Sequence, residues 1–172
     1  VKSIRIMGQL VGKPARAEEI IAFRQKQIDI VTDRLKNYQG PRPKVMLDRA
    51  GGYTEECCMS FGDENFGRMV EVAGGINIAK GLIPGTFGTL NPEQIIASRP
   101  DVVVVTGANW KNYNTAGGWV GVGPGADMAL ATQRLTALMA RPAFSTLPVA
   151  TNGNAHAIWH QFYDSPYQFV AI

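Results

Sequence analysis

The chain is short of nearly every residue pattern that announces chemistry by itself. Its 172 residues include only two cysteines, adjacent at Cys57-Cys58, which form neither a CxxC redox motif nor half of a zinc site. Neighbouring cysteines close a disulfide only with distortion, so both are expected as free or buried thiols. The two histidines, His156 and His160, stand four apart. A helix would bring that pair onto one metal, but along the strand expected there they lie about 13 Å apart. No HExxH, no Cys/His cluster and no GxSxG elbow is present, so direct zinc binding and a hydrolase triad have no support. No apolar run approaches the roughly 20 residues that span a bilayer. Charge of one sign is also lacking: 17 Lys and Arg face 14 Asp and Glu, for a net +3. The basic residues are scattered rather than striped, which argues against a nucleic-acid groove.

What is present is the composition of a folded domain. Hydrophobic residues make up 45% and charged residues 18%, and the length suits one domain or one domain with an appendage. Pro14 opens a helical pattern that runs to about Tyr38, roughly 36 Å at the helical rise. Its apolar positions Ala17, Ile20, Ile21, Ile28, Val31 and Leu35 recur at helical spacing, and Gly40, Pro41 and Pro43 close it. A strand follows at Lys44 to Asp48, then a polar loop from Arg49 to Glu64 and a helix from about Asn65 to Ala73, stopped at Gly74-Gly75.

The segment from Leu90 to Gly107, LNPEQIIASRPDVVVVTG, is the most informative. Asn91 is placed to cap a helix, Pro92 suits its first turn, and Glu93 and Gln94 complement its positive end. Pro100 ends that helix. The unalternating run Val102 to Val105 then reads as a parallel strand buried on both faces. A glycine-rich, irregular stretch occupies Gly107 to Ala126, followed by a helix to Met139, the turn Asn152-Gly153-Asn154 and a strand from Ala155 to His160. Ser165-Pro166 begins a last helix. Strands alternating with helices define the expected fold class: a three-layer α/β/α lobe with a mostly parallel sheet, preceded by a long connecting helix. Val1 and Ile172 both look like cut ends, so the chain is expected to be a fragment.

Two places could carry function. The string GVGPGA (Gly121 to Ala126) matches GxGxxG/A, but AGGWV before it is a poor strand and Pro124 stiffens the turn, so a nucleotide or phosphate enzyme site is the weaker alternative. The stronger candidate is the set of aromatic and basic residues at the strand exits. Arg49 and Tyr53 follow the first strand, Trp110 and Tyr113 the second, and Trp159, His160 and Tyr163 end the last. Parallel strands open onto one edge, which makes a shared cleft the expectation.

AGGINIA (Ala73 to Ala79), PEQIIASRPDVVVV and the terminal VATNGNAHAIWHQFYDSPYQFVAI together resemble the carboxyl-terminal lobe of class III periplasmic binding proteins. These are the solute-binding components of ABC importers for ferric siderophores, haem or cobalamin. The resemblance implies that residues 1–42 are the end of a first lobe and the connecting helix, and that residues 43–172 are the second lobe, truncated at its last helix. It implies no enzyme activity, no cofactor and no membrane insertion. Its setting is the periplasm or a lipid-anchored position outside the cell membrane. The implied cargo is an iron-chelate, a ferric siderophore first, with haem, cobalamin or a molybdate-type oxyanion as alternatives. Ligand contacts would come from Arg49, Tyr53, Trp110, Trp119, His160 and Tyr163, completed by the missing first lobe. Glu93 stands where the family docks a carboxylate into an arginine pocket of the permease.

Overall fold

The computed structural model describes residues 1–115 and 117–164, with the backbone only for residues 163 and 164. The last helix expected from Ser165-Pro166 lies outside the described residues.

Two helices lead the chain: α1 (Lys2–Leu10) and α2 (Pro14–Lys36). They are separate because Gly12 takes a left-handed φ of +66° between them, while the Lys13 amide donates to the Gly8 carbonyl at 2.7 Å. Gly8 is required for their packing, since a Cβ there would strike the Ala17 side chain. The long helix is thus present, slightly shorter than its apolar spacing predicts, and mostly exposed.

The sheet is built from β1 (Lys44–Arg49), β3 (Ile76–Asn77), β5 (Val102–Gly107) and β6 (Ala155–Trp159), in the order β3-β1-β5-β6 and parallel throughout. Side chains alternate across it. On one face Met46, Val103 and Val105 pack with Ile95, Leu138, Met139 and Phe144. These come from α4 (Pro92–Ser98), α5 (Met128–Met139) and α6 (Pro142–Ser145). On the other face Val45 and Leu47 pack with Phe61 and with Phe66 and Val70 of α3 (Phe66–Val72). This is the expected three-layer arrangement. The Val102 to Val105 strand departs from expectation on one side: Val103 and Val105 are fully buried, whereas Val102 and Val104 are only half-buried beside an apolar trough of about 260 Å³.

The start of α4 follows the sequence closely. Asn91 Oδ1 accepts the Glu93 amide at 2.8 Å, and Gln94 Oε1 accepts the Asn91 amide at 3.3 Å, completing a capping box. A second, antiparallel ribbon pairs β2 (Met59–Phe61) with β4 (Phe87–Thr89). From the sequence alone β2 falls in the polar loop and no strand is assigned at β4, because three-residue strands are too short to show alternation.

Cys57 and Cys58 correct another expectation. They form a vicinal disulfide across a cis peptide bond, with Cα atoms 3.1 Å apart, and no free cysteine remains among the described residues. Cys58 is buried in the core and Cys57 packs against it.

Asn77 ties the ribbon to the sheet. Its buried Nδ2 donates to the carbonyls of Phe61 at 3.0 Å and Gly62 at 2.8 Å, and its Oδ1 accepts the Ala79 amide at 3.1 Å. Asn77→Ala is expected to cost about 1–3 kcal/mol by stranding these groups. A lower urea midpoint at constant slope would register the loss, and an unchanged midpoint would show that solvent replaces the amide.

Candidate functional site

Strands β1, β5 and β6 end together. Arg49 pairs with Thr106 across β1 and β5, and Gly107 pairs with Trp159 across β5 and β6. The Thr106 hydroxyl then joins the exits: it accepts the Ala50 amide at 2.9 Å and lies 2.8 Å from His160 Nδ1. Thr106 and His160 are both buried. A hydroxyl can accept from one partner and exchange its proton with another, so one group holds two loop starts in place.

Beyond these exits lies an open hollow of about 350 Å³ lined by Arg49, Ala50, Tyr53, Trp110, Tyr113 and His160. Four residues expected from the sequence, Arg49, Tyr53, Trp110 and His160, therefore meet there, although Tyr53 and Trp110 are far apart in the chain. The Tyr53 and Trp110 rings pack edge to face at 5.4 Å, as do those of Trp110 and His160 at the same separation. Such contacts orient the rings relative to one another. Tyr113, 81% exposed, completes the rim. It was legible only as a residue after the second strand.

The remaining candidates fall elsewhere. Trp119 is buried behind Trp110, with ring centroids 6.2 Å apart. Its Nε1 donates to the Asn114 carbonyl at 3.2 Å, and the Arg134 guanidinium lies 4.7 Å from its ring centroid. Trp119 thus backs the wall and does not line the hollow. The Tyr163 side chain lies outside the described residues. Glu93 is exposed on the first turn of α4. Since α4 runs back toward the amino end of β5, its first turn lies nearer the edge that carries the hollow. His156 is exposed on β6, while His160 begins the 3₁₀ turn after that strand, so the two do not share one strand. No group of three or more His, Cys, Asp or Glu side chains is placed to hold a metal among the described residues.

Two loops form the walls, and they are joined to each other. The Val120 amide donates to the Gly51 carbonyl at 3.1 Å, and Asn114 Nδ2 donates to the Tyr53 carbonyl at 2.7 Å. Gly52, at φ +79°, lets the loops close: a Cβ there would strike the Gly118 carbonyl. The glycine-rich stretch serves this packing. The GVGPGA string begins well past the end of β5, and Asp127 fills the start of α5 by accepting the Leu130 amide at 3.0 Å. A carboxylate at that position opposes phosphate.

Arg49 is the hollow's cation. It is half-buried, and none of the salt bridges among the described residues involves it. Its guanidinium carbon lies 4.0 Å from the Phe87 ring centroid, and Nη1 is 3.7 Å from Met59 Sδ. Neither Phe87 nor Met59 was legible in the sequence, because the ribbon that carries them was not.

An aromatic hollow with a cation outside the salt bridges of the described residues thus lies at the carboxyl edge of a parallel sheet, the edge where open α/β sheets place their ligands. The chain belongs to the periplasmic binding protein family, whose match runs over residues 2–157. It is similar to the TroA-like periplasmic binding protein FepB from Veillonella parvula, at 26% identity and a TM-score of 0.87, over 98% of this chain and 48% of that one. It shares the fold of the periplasmic haem-binding protein RhuT from Roseiflexus, at 22% identity and a TM-score of 0.71, over 99% of this chain and 57% of that one. A cobalamin-binding protein of Halobacterium salinarum is 30% identical over 106 residues, 60% of this chain and 27% of that protein. The chain thus spans about half the length of the solved structures it matches, and less of the curated relative. Among the described residues no helix is long and apolar enough to cross a membrane.

Asp48 lies beneath the site, buried close to Gly51, whose Cβ would come 3.1 Å from its Oδ2. Burial pushes its carboxyl up to about 7 from an ordinary 3.8, and the Arg141 guanidinium opposes the rise. The native state keeps this proton up to about pH 7, while the unfolded chain releases it near 3.8. Between those values the native state binds more protons, so stability falls as pH rises and levels off above about 7. Asp48→Asn is expected to flatten this slope, read as urea midpoints between pH 4 and pH 8. A slope that survives the substitution would assign it to another group.

Proposed function

We propose that this chain is the carboxyl-terminal lobe of a solute-binding protein of an ABC importer, and that it captures a ferric siderophore between two lobes for delivery to the membrane permease. In this reading residues 43–172 form the ligand-binding lobe, and residues 1–42 carry the end of the first lobe and the connecting helix. The setting is the periplasm or a lipid-anchored position outside the cell membrane. One observation carries the cargo reading: a half-buried guanidinium without a carboxylate partner among the described residues stands among Tyr53, Trp110, Tyr113 and His160. Aromatic side chains suit the catecholate rings of a ferric siderophore, and the guanidinium suits the negative charge of such a chelate. The names of the similar proteins support solute binding and leave haem and cobalamin as competing cargo.

The test is tryptophan-fluorescence titration of the full two-lobed parent with a ferric tricatecholate, a ferric trihydroxamate, haem, cobalamin, molybdate and a nucleotide. Submicromolar, saturable quenching by one ferric siderophore is expected. Arg49→Gln or Tyr53→Ala is expected to weaken it about tenfold or more, the loss of roughly one charged or stacked contact. Saturation by haem or cobalamin alone would replace the cargo, and saturation by nucleotide alone would remove the transport reading.

Glu93 is the proposed permease contact, as an exposed carboxylate suited to a charge-assisted pair with arginine. Glu93→Gln should leave ligand affinity unchanged and lower ligand uptake in cells carrying the cognate permease. Unchanged uptake in a Glu93→Ala variant would exclude that role.

A further inference from the structure

The ribbon of β2 and β4 is short, and one of its residues has no obvious reason to be apolar. Phe87 is 47% exposed, directly opposite the buried Phe61 in the ribbon register. An exposed ring at that position adds little to the core. Its face is instead covered by the Arg49 guanidinium, whose carbon lies 4.0 Å from the ring centroid. The other ribbon strand supplies Met59, with Sδ 3.7 Å from Arg49 Nη1. Opposed residues of an antiparallel pair share a face, so Met59, Phe61 and Phe87 form one surface, and Arg49 lies across it.

An arginine without a carboxylate partner ordinarily samples many rotamers and keeps its charge in water. A ring face and a sulfur restrain the guanidinium without neutralising it. Neither partner competes with an incoming anion for the N–H donors as a carboxylate would. Among the described residues the site therefore keeps a cation that is directed and outside any salt bridge.

We infer that Phe87 is a positioning residue for ligand selection: its ring, with Met59, holds the Arg49 guanidinium at the hollow, so that the site prefers anionic over neutral ligands. This inference rests on the solute-binding reading and assigns a selectivity role to a residue outside the hollow's lining. The ring need not touch the ligand, because it acts through the direction of Arg49.

Two measurements test it in the full-length parent. The first needs no ligand. The Arg49 Nε–Hε resonance should carry a ring-current shift that disappears in Phe87→Leu and is retained in Phe87→Tyr. Absence of that shift in the unmodified protein overturns the inference whatever the cargo proves to be. The second compares a trianionic ferric tricatecholate with a neutral ferric trihydroxamate. Phe87→Leu should weaken the anionic chelate about three- to tenfold and the neutral one less than about twofold, with Phe87→Tyr restoring the preference. In an Arg49→Gln background Phe87→Leu should have no further effect on the anionic chelate. Equal losses for both chelates, or full additivity with Arg49→Gln, would make Phe87 merely structural. If the parent binds neither chelate, the siderophore reading fails, and the resonance measurement still decides the role of Phe87.

Discussion

A single hydroxyl does the joining at the centre of this molecule. Thr106 sits at the end of the middle strand pair, accepts the Ala50 amide from one side and meets His160 Nδ1 from the other. Three parallel strands could end at the same height and still splay their loops apart. The Thr106 contacts prevent that, and every feature of the hollow depends on the result: the start of the Tyr53 loop, the placement of the His160 ring and the edge against which Trp110 packs. Because Thr106 and His160 are buried, the bonds form where water competes least.

The rest of the site follows from two loops that bind each other. The stretch after β5 is long for a loop inside a compact domain, but it is not loose. Its amide and side-chain donors reach the backbone of the loop after β1, and glycines at the closest approaches leave room for backbone to meet backbone. In that glycine-rich stretch Gly118 meets the loop after β1 backbone to backbone, while Gly121 and Gly123 of the GVGPGA string make room for the Trp119 and Trp159 rings. Pattern alone could not separate these uses, since both require backbone unobstructed by a Cβ.

The architecture was legible where periodicity and capping chemistry agree. Asn91, Pro92 and the valine run announced α4 and β5, and the strand exits announced which aromatics would meet. The legibility failed for short elements. The three-residue strands of the ribbon lack a period, so Met59 and Phe87 had no sequence signal and Arg49 lost its two neighbours with them. The placement of Trp119 was illegible for another reason: a tryptophan near a strand exit can line the hollow or back its wall, and only the Asn114 and Arg134 contacts show which.

The hydrogen bonds that join the Tyr53 and Trp110 loops also have a kinetic meaning. With the two walls already fastened, this half of the surface has little conformational search to complete when a ligand arrives. On the proposed reading, an anion reaching this face would then be drawn by the Arg49 charge and meet walls that need no closure of their own. Differences in affinity among ligands of equal charge would consequently be expressed in how long each remains bound.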